Sequence, residues 1–478
     1  MSVSQTQIIY DSADISQGMS TSKHIKDGGF SPETTGINLR SEFGVINAPG
    51  PIVDKSTNLV KQIIASCEDP AYYGKDRMIL DDAGNLYSFD GSSLTKQDNS
   101  TSDEFTIGTT DIIPFQGNFY ITNRAGANGD VFQWNGTSTL DEAWWTTTKS
   151  QAALYSTTPF RPMFVFEDHL FIGDKEKLHR VDTALAISNG ILTLQSNDTI
   201  SAIGKDPGTG KMIIAVNTGA NYSGAKNYPS KILFYDGFSN KALRSIPVSG
   251  LITAFQEVNG VIYIAYQNKI GVWNGSGITP LRTLSKTGGT YKHQITTIED
   301  TLYVIDGAKI LAFGPVRQGG SKIWYTVLTA SNTPQSIFNL GSNKLGYSLN
   351  DGTGNGKFYT HDVTSRASVI TGGVDVYFNQ EKLADDVNIK SVILEYSSAL
   401  PTTAESLHAV KLKYINPVNK KEETRTLRTI SGTSGQSEVE ISVGIKAKTF
   451  QLILNILPET LTNVVGITRA ILNIDKSK

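Results

Sequence analysis

The chain has 478 residues, with 43 Lys plus Arg against 45 Asp plus Glu; a net charge of -2 gives nucleic acid or an anionic membrane no overall electrostatic handle. Charged residues make up 18%, below the usual share of about 25%, and 44 glycines mark a turn-rich β protein too long for a single core, so several domains or one repetitive architecture are expected. The lone cysteine, Cys67, excludes an internal disulfide framework and a thiolate metal cluster within one chain, and no run approaches the roughly 18 apolar residues of a membrane-spanning helix.

Residues 1–56 read as an extended arm rich in Gly, Ser and Thr, with one strand, Gln7-Ile-Ile-Tyr10, able to pair elsewhere. The opening residues lack the basic segment and apolar run of a secretory signal. From residue 57 a repeat takes over. An apolar or aromatic residue followed by Asp or Asn, usually then Gly, recurs at Phe89-Asp90-Gly91, Trp134-Asn135-Gly136, Val181-Asp182, Tyr235-Asp236-Gly237 and Trp273-Asn274-Gly275. Weaker instances are Phe313-Gly314 and His361-Asp362. The steps between positions 90, 135, 182, 236, 274, 314 and 362 run from 38 to 54 residues, the length that four short strands and their turns need in a propeller blade. Upstream in most units, a turn signal opens directly into an alternating strand, as at Gln116-Gly117-Asn118, Glu167-Asp168, Asn259-Gly260 and Glu299-Asp300. Both signals suit tight hairpins, whose central residues need positive φ.

Seven such units over residues 57–365 predict a β-propeller closed into a ring, which removes exposed sheet edges. Helices are scarce: Leu59–Ile64 is short enough to be a strand of the first blade, and Asp141-Glu-Ala-Trp144-Trp145 reads as one helical turn in a long inter-strand loop. From Arg366 the period changes to successive alternating strands such as Val374–Phe378, Ser391–Tyr396, Val410–Tyr414, Glu438–Val443 and Thr449–Leu454, ending in Val464–Ile474. Residues 366–478 are therefore expected to form a β-sandwich of jelly-roll type.

The chemistry-bearing residues form no recognisable catalytic, metal or cofactor motif. None of the six histidines sits in an HxH or HExxH pattern; His169 and His179 flank one predicted hairpin, without a third ligand. Gly208-Thr-Gly210-Lys211 and Gly352-Thr-Gly-Asn-Gly356-Lys357 miss the spacing of a phosphate-binding loop and read as hairpin turns. Asp81-Asp82-Ala-Gly84-Asn85 lacks the pattern of a calcium loop and reads as a surface turn. Asn-x-Ser/Thr occurs at Asn99, Asn135, Asn197, Asn221 and Asn274; turn geometry already explains the second and last. Trp134 and Trp273 share one repeat position, which points to blade packing. The adjacent Trp144 and Trp145, in an inter-strand loop, are the candidate exposed contact for a ligand or partner.

The order of parts suggests a family. A Gly-rich arm, a propeller with aromatic-Asp/Asn-Gly turns and a C-terminal module ending in Phe450-Gln-Leu-Ile-Leu-Asn455 and Ile467-Thr-Arg-Ala-Ile-Leu-Asn-Ile474 resembles virion proteins of tailed bacteriophages, of tail-nozzle, stopper or tail-tip type. The resemblance carries over no functional residues. It implies a non-enzymatic structural protein of the virion, assembled in host cytoplasm, forming a homo-oligomeric ring and contacting other tail or portal proteins. The alternative it leaves open is a carbohydrate- or host-receptor-binding protein at the tail tip, with a polysaccharide-degrading propeller enzyme as a third reading.

Overall fold

The computed structural model describes residues 5–10, 52–57, 59, 61–68, 77–97, 109–123, 129–135, 140–155, 160–219, 229–285, 291–315, 322–350, 355–363, 374–400, 406–431, 435–456 and 466–476. Among them, seven four-stranded antiparallel sheets form the blades of a propeller. Blade 1 runs outward from Ile63–Glu68 through Arg77–Asp81 and Leu86–Phe89 to Leu94–Lys96. The innermost strands of blades 2 to 7 are Thr109–Phe115, Met163–Phe166, Asp198–Lys205, Ile252–Val258, Ile295–Ile298 and Ser336–Asn339. Successive inner strands are neighbours all the way round, and Ser336–Asn339 lies beside Ile63–Glu68.

The ring closes by exchange. Blade 7 takes its outer strand, Ile52–Asp54, from the N-terminal segment, where it pairs with Gly356–Asp362. Ser56 Oγ accepts the Phe358 N–H at 2.9 Å, and the Lys55 N–H donates to the Phe358 carbonyl at 2.7 Å. On the inner side, Ser336 Oγ donates to the Ile63 carbonyl and Ser348 Oγ accepts the Ile63 N–H, at 2.6 and 2.9 Å. A side chain at Gly356 would place its Cβ 2.0 Å from the Lys61 carbonyl oxygen, so the seam requires glycine there.

The repeated turn endings have one physical basis. At three of the aromatic-Asp/Asn endings the polar residue follows the third strand of a blade and folds its side chain over the next turn. Asp90 Oδ1 accepts the N–H groups of Ser92 and Ser93, Asp236 Oδ1 those of Phe238 and Ser239, and Asn274 Oδ1 those of Ser276 and Gly277. The glycines that follow have φ of 84°, 88° and 84°, the left-handed region a side chain resists. At the inner hairpins, Gln116-Gly117, Glu167-Asp168 and Asn259-Gly260 all have both φ angles positive, the two-residue turn that matches strand twist. Blade 3 alone of these three puts two carboxylate residues there. Asp168→Gly is therefore expected to raise stability by roughly 0.5–1 kcal/mol, read as a higher urea midpoint.

The apolar core lies between blades rather than within them. Blade 1 packs on blade 2 through Met78, Leu80, Phe119 and Trp134; blade 4 packs on blade 5 through Ile213, Phe234 and Trp273. Trp134 lies 5.6 Å from the Phe119 ring and Trp273 lies 5.9 Å from Phe234, the packing role their shared repeat position implied.

The strands from Val374 onward form one seven-stranded sheet. Its order is Gln5–Tyr10, Ile467–Lys476, Glu381–Tyr396, Glu438–Ile456, Ser406–Ile415, Glu422–Ser431, with Val374–Tyr377 also pairing to Glu438–Ile456. The arm strand expected at Gln7–Tyr10 thus runs antiparallel to the last strand, Ile8 opposite Leu472. Tyr10 Oη donates to Glu381 Oε1 at 2.8 Å, and its ring lies 4.6 Å from Phe378. Burial alternates along the first half of Glu438–Ile456 and becomes nearly continuous in the second. The Tyr396 N–H donates to Ser437 at one end of that strand, His408 pairs with Ile456 at the other, and yet the Tyr396 and His408 rings stack at 5.7 Å. A straight strand of that length would hold its ends roughly 60 Å apart, so this one bends sharply.

Candidate functional site

The seven inner strands face one axis, and the connection from blade 5 to blade 6 enters it. The 3₁₀ turn Tyr291–Gln294 follows the outer strand of blade 5, Ile278–Thr283, and leads into the inner strand of blade 6. Its Lys292 ammonium pairs with Asp111 Oδ1, which sits on the inner strand of blade 2 across the channel. Asp111 is fully buried and also accepts the N–H groups of Ile112 and Met163, at 2.8 and 3.0 Å. The His293 ring packs 5.1 Å from Phe338 of blade 7, and its Nε2 accepts the Ser66 N–H of blade 1 at 3.4 Å. One short turn thus ties three other blades to the two it connects.

Electrostatics follow from burial. Burial pushes the Asp111 carboxyl up, against the opposing pull of Lys292. Burial also holds the His293 imidazole well below its usual range, helped by the positive charges of Lys292 and Arg77, so the ring is neutral with Nε2 as acceptor. Lys292→Met is expected to cost about 2 kcal/mol at pH 7, since it leaves a buried carboxylate supported only by neutral donors. A carboxyl titrating higher in the folded than in the unfolded chain holds its proton more tightly when folded. The variant's deficit therefore shrinks as pH falls through the folded-state pKa, and urea midpoints at pH 7 and pH 5 check this.

Two cavities flank the peg. One, of about 290 Å³, lies against blades 2 to 5 and has largely apolar walls, including Phe160, Met163, Phe164 and Phe255. The other, of about 250 Å³, lies against blades 1, 5, 6 and 7 and is mainly polar. Phe255, Gln256 and Lys292 border both.

The tryptophan pair occupies a different place from the one its loop position suggested. Trp144 and Trp145 are 1% and 0% exposed, in a π-helical turn over Trp144–Thr148. They pack with Tyr120, Met163, Leu170 and Val181 between blades 2 and 3, so neither indole has an open face to offer a ligand. Asp130 holds the turn by accepting the Trp145 N–H at 3.0 Å and the Thr146 hydroxyl. Trp145 Nε1 donates to the Ala152 carbonyl, and its ring meets His179 edge-on at 5.2 Å.

His169 and His179 have separate surroundings: His169 lies half-buried beside Phe238, whereas His179 is buried near Asp174. Gly208 and Gly210 belong to the hairpin after Asp198–Lys205, where Asp206 Oδ2 accepts the Thr209 N–H. Asp81 ends a strand, as a turn residue should, but is fully buried, its carboxylate accepting from Ala83, Asn85 and Tyr87. Residues 351–354, Asn99 and Asn221 lie outside the described residues. Among the described residues no cluster of three or more His, Cys, Asp or Glu is placed to hold a metal ion.

No protein-family model matches the chain, and no curated protein does. Solved structures with similar arrangement include Raptor of Chaetomium thermophilum (13% identity, TM-score 0.46, covering 70% of this chain and 29% of that one). The Swd1 β-propeller domain of Myceliophteria thermophila aligns at 8% identity and TM-score 0.44, over 65% of this chain and 99% of that one. BamB of Moraxella catarrhalis aligns at 14% and 0.39, over 71% and 93%. At these values the likenesses say nothing of function, and the propeller rests on its own strand pairing.

Proposed function

We propose that the protein is a non-enzymatic structural component of a phage tail or portal-proximal assembly, made in host cytoplasm, that acts through protein–protein interfaces with copies of itself and with other virion proteins. The observation that carries this reading is the hairpin formed by Ser406–Ile415 and Glu422–Ser431. Its ten-residue outer strand has a neighbour on one side only among the described residues, and such an edge invites pairing with another chain. Val418 at the tip is 89% exposed. The tip is also rigid: Asn416 Oδ1 accepts the Val418 N–H, while the Glu423 carboxylate accepts from Tyr414, Asn416 and Asn419. An apolar contact already held in shape loses little entropy on docking. We read the C-terminal sheet as folding over into a two-layered sandwich beside this edge, with the Tyr396–His408 stack as support.

Expressed in its phage context, the wild-type chain should co-sediment with particles, and Val418→Asp should lose incorporation while keeping its circular dichroism spectrum. A wild-type chain that never appears in particle fractions overturns the proposal.

A second reading, a carbohydrate- or receptor-binding surface, draws on an exposed aromatic cluster between blades 3 and 4. Phe238 is 55% exposed, with His169 edge-on at 5.7 Å and the Arg180 guanidinium 5.2 Å from its centroid. Glycan-array binding abolished by Phe238→Ala would favour this reading over the first.

A further inference from the structure

We propose that the largely apolar cavity beside the axial peg binds a free amino acid with an aromatic side chain, its ring inside and its ammonium and carboxylate groups at the mouth. Phe164 of blade 3 and Phe255 of blade 5 are half-buried in its walls, and Phe160, Met163 and Ile203 are buried in them. Gly204 brings the backbone of blade 4 against the Phe255 ring, which a Cβ there would approach to 3.3 Å. The volume, about 290 Å³, is roughly twice the ~150 Å³ that holds a benzene molecule, so a ring with a short substituent fits and a chain of several residues does not. Aromatic walls favour an aromatic guest, through both buried area and ring–ring contact.

The mouth carries the charges. Lys205 and Glu257 are the exposed residues of the wall, and the others are buried or half-buried. They stand on neighbouring inner strands, Asp198–Lys205 of blade 4 and Ile252–Val258 of blade 5. Neither side chain has a hydrogen bond or ion pair among the described residues. The third charged wall group, Lys292, already pairs with Asp111. The uncharged Ser201 Oγ and Gln256 Nε2 donate to the Ile252 carbonyl and Thr297 Oγ1, at 2.8 and 3.1 Å. The cavity therefore offers an apolar interior and one group of each sign at its opening. An α-amino acid carries the complement on a single carbon: its ammonium answers Glu257 and its carboxylate answers Lys205. A plain apolar ring would use neither group, and a simple carboxylate only one.

The test titrates the full-length protein with L-phenylalanine, L-phenylalaninamide, 3-phenylpropionate and L-alanine, by calorimetry and by the ¹³C-methyl resonance of Met163. L-Phenylalanine should bind and shift the Met163 methyl through its ring current. L-Alanine, which lacks the ring, should bind at least about tenfold more weakly. The amide, which lacks the carboxylate, and 3-phenylpropionate, which lacks the ammonium, should each lose about fivefold or more. Because Lys205 and Glu257 are exposed, their neutral variants should keep the fold. Lys205→Gln should erase the preference over the amide, and Glu257→Gln the preference over 3-phenylpropionate. No binding of L-phenylalanine, an unmoved Met163 methyl, equal binding of L-alanine or of either analogue, or wild-type preferences in both variants overturns the proposal.

Discussion

Arg161→Met is expected to destabilise the protein by about 3–5 kcal/mol, among the largest losses any single substitution here should produce. The Arg161 side chain is fully buried, with Nε donating to Asp174 Oδ1 at 2.9 Å and Nη2 donating to the Tyr155 carbonyl. Burial lowers its pKa, but the charges of Asp174 and Asp130 oppose that shift. Methionine would fill much of the volume but take the guanidinium away from Asp174, itself almost completely buried, whose Oδ2 also accepts the Tyr155 N–H at 3.0 Å. The double variant Arg161→Met/Asp174→Leu should recover a large part of the loss, because both charges then go together. Urea midpoints of the two singles and the double form a cycle that reads the coupling; additive losses would mean the pair is not coupled as its geometry implies.

Acid should weaken the C-terminal sheet through His408, by up to about 3 kcal/mol. The ring is buried against Tyr396, both of its nitrogens lack hydrogen bonds, and burial pushes its pKa down to about 4 from 6.5. A base with a depressed folded pKa takes up its proton on unfolding. Its neutral form thus leaves stability intact above about pH 6.5, and stability falls as pH drops from there toward 4. His408→Phe keeps a ring beside Tyr396 and removes the titration. Stability measured between pH 7 and 4.5 should therefore decline less in the variant. Buried His179 and His293, shifted in the same direction, keep some slope in both proteins. Identical slopes would place His408 in contact with water or a partner in solution.

Much of the propeller was legible because its signals are local. The aromatic-Asp/Asn-Gly endings and the two-residue inner turns are set by backbone conformations that few residues tolerate, so they mark blade after blade. Trp134 and Trp273 were readable as packing residues for the same reason. Trp144 and Trp145 were not, since their burial depends on the turn held by Asp130 and on strands of blade 3. The axial peg was equally invisible. Lys292-His293 carries no motif, and its partners Asp111, Ser66 and Phe338 lie 181, 227 and 45 residues away in sequence, joined only when the ring closes. Likewise the arm gave no hint that Ile52–Asp54 completes blade 7, because a short exposed strand has no periodicity to read.

The central claim, that this propeller works through interfaces in an assembly, is tested most directly by the native mass of the full-length protein across the micromolar range. The single chain weighs 51.8 kDa. A stable integral multiple of that mass, reduced toward the single-chain value by Val418→Asp, is the expected result. A wild-type species that stays at 51.8 kDa throughout would contradict it.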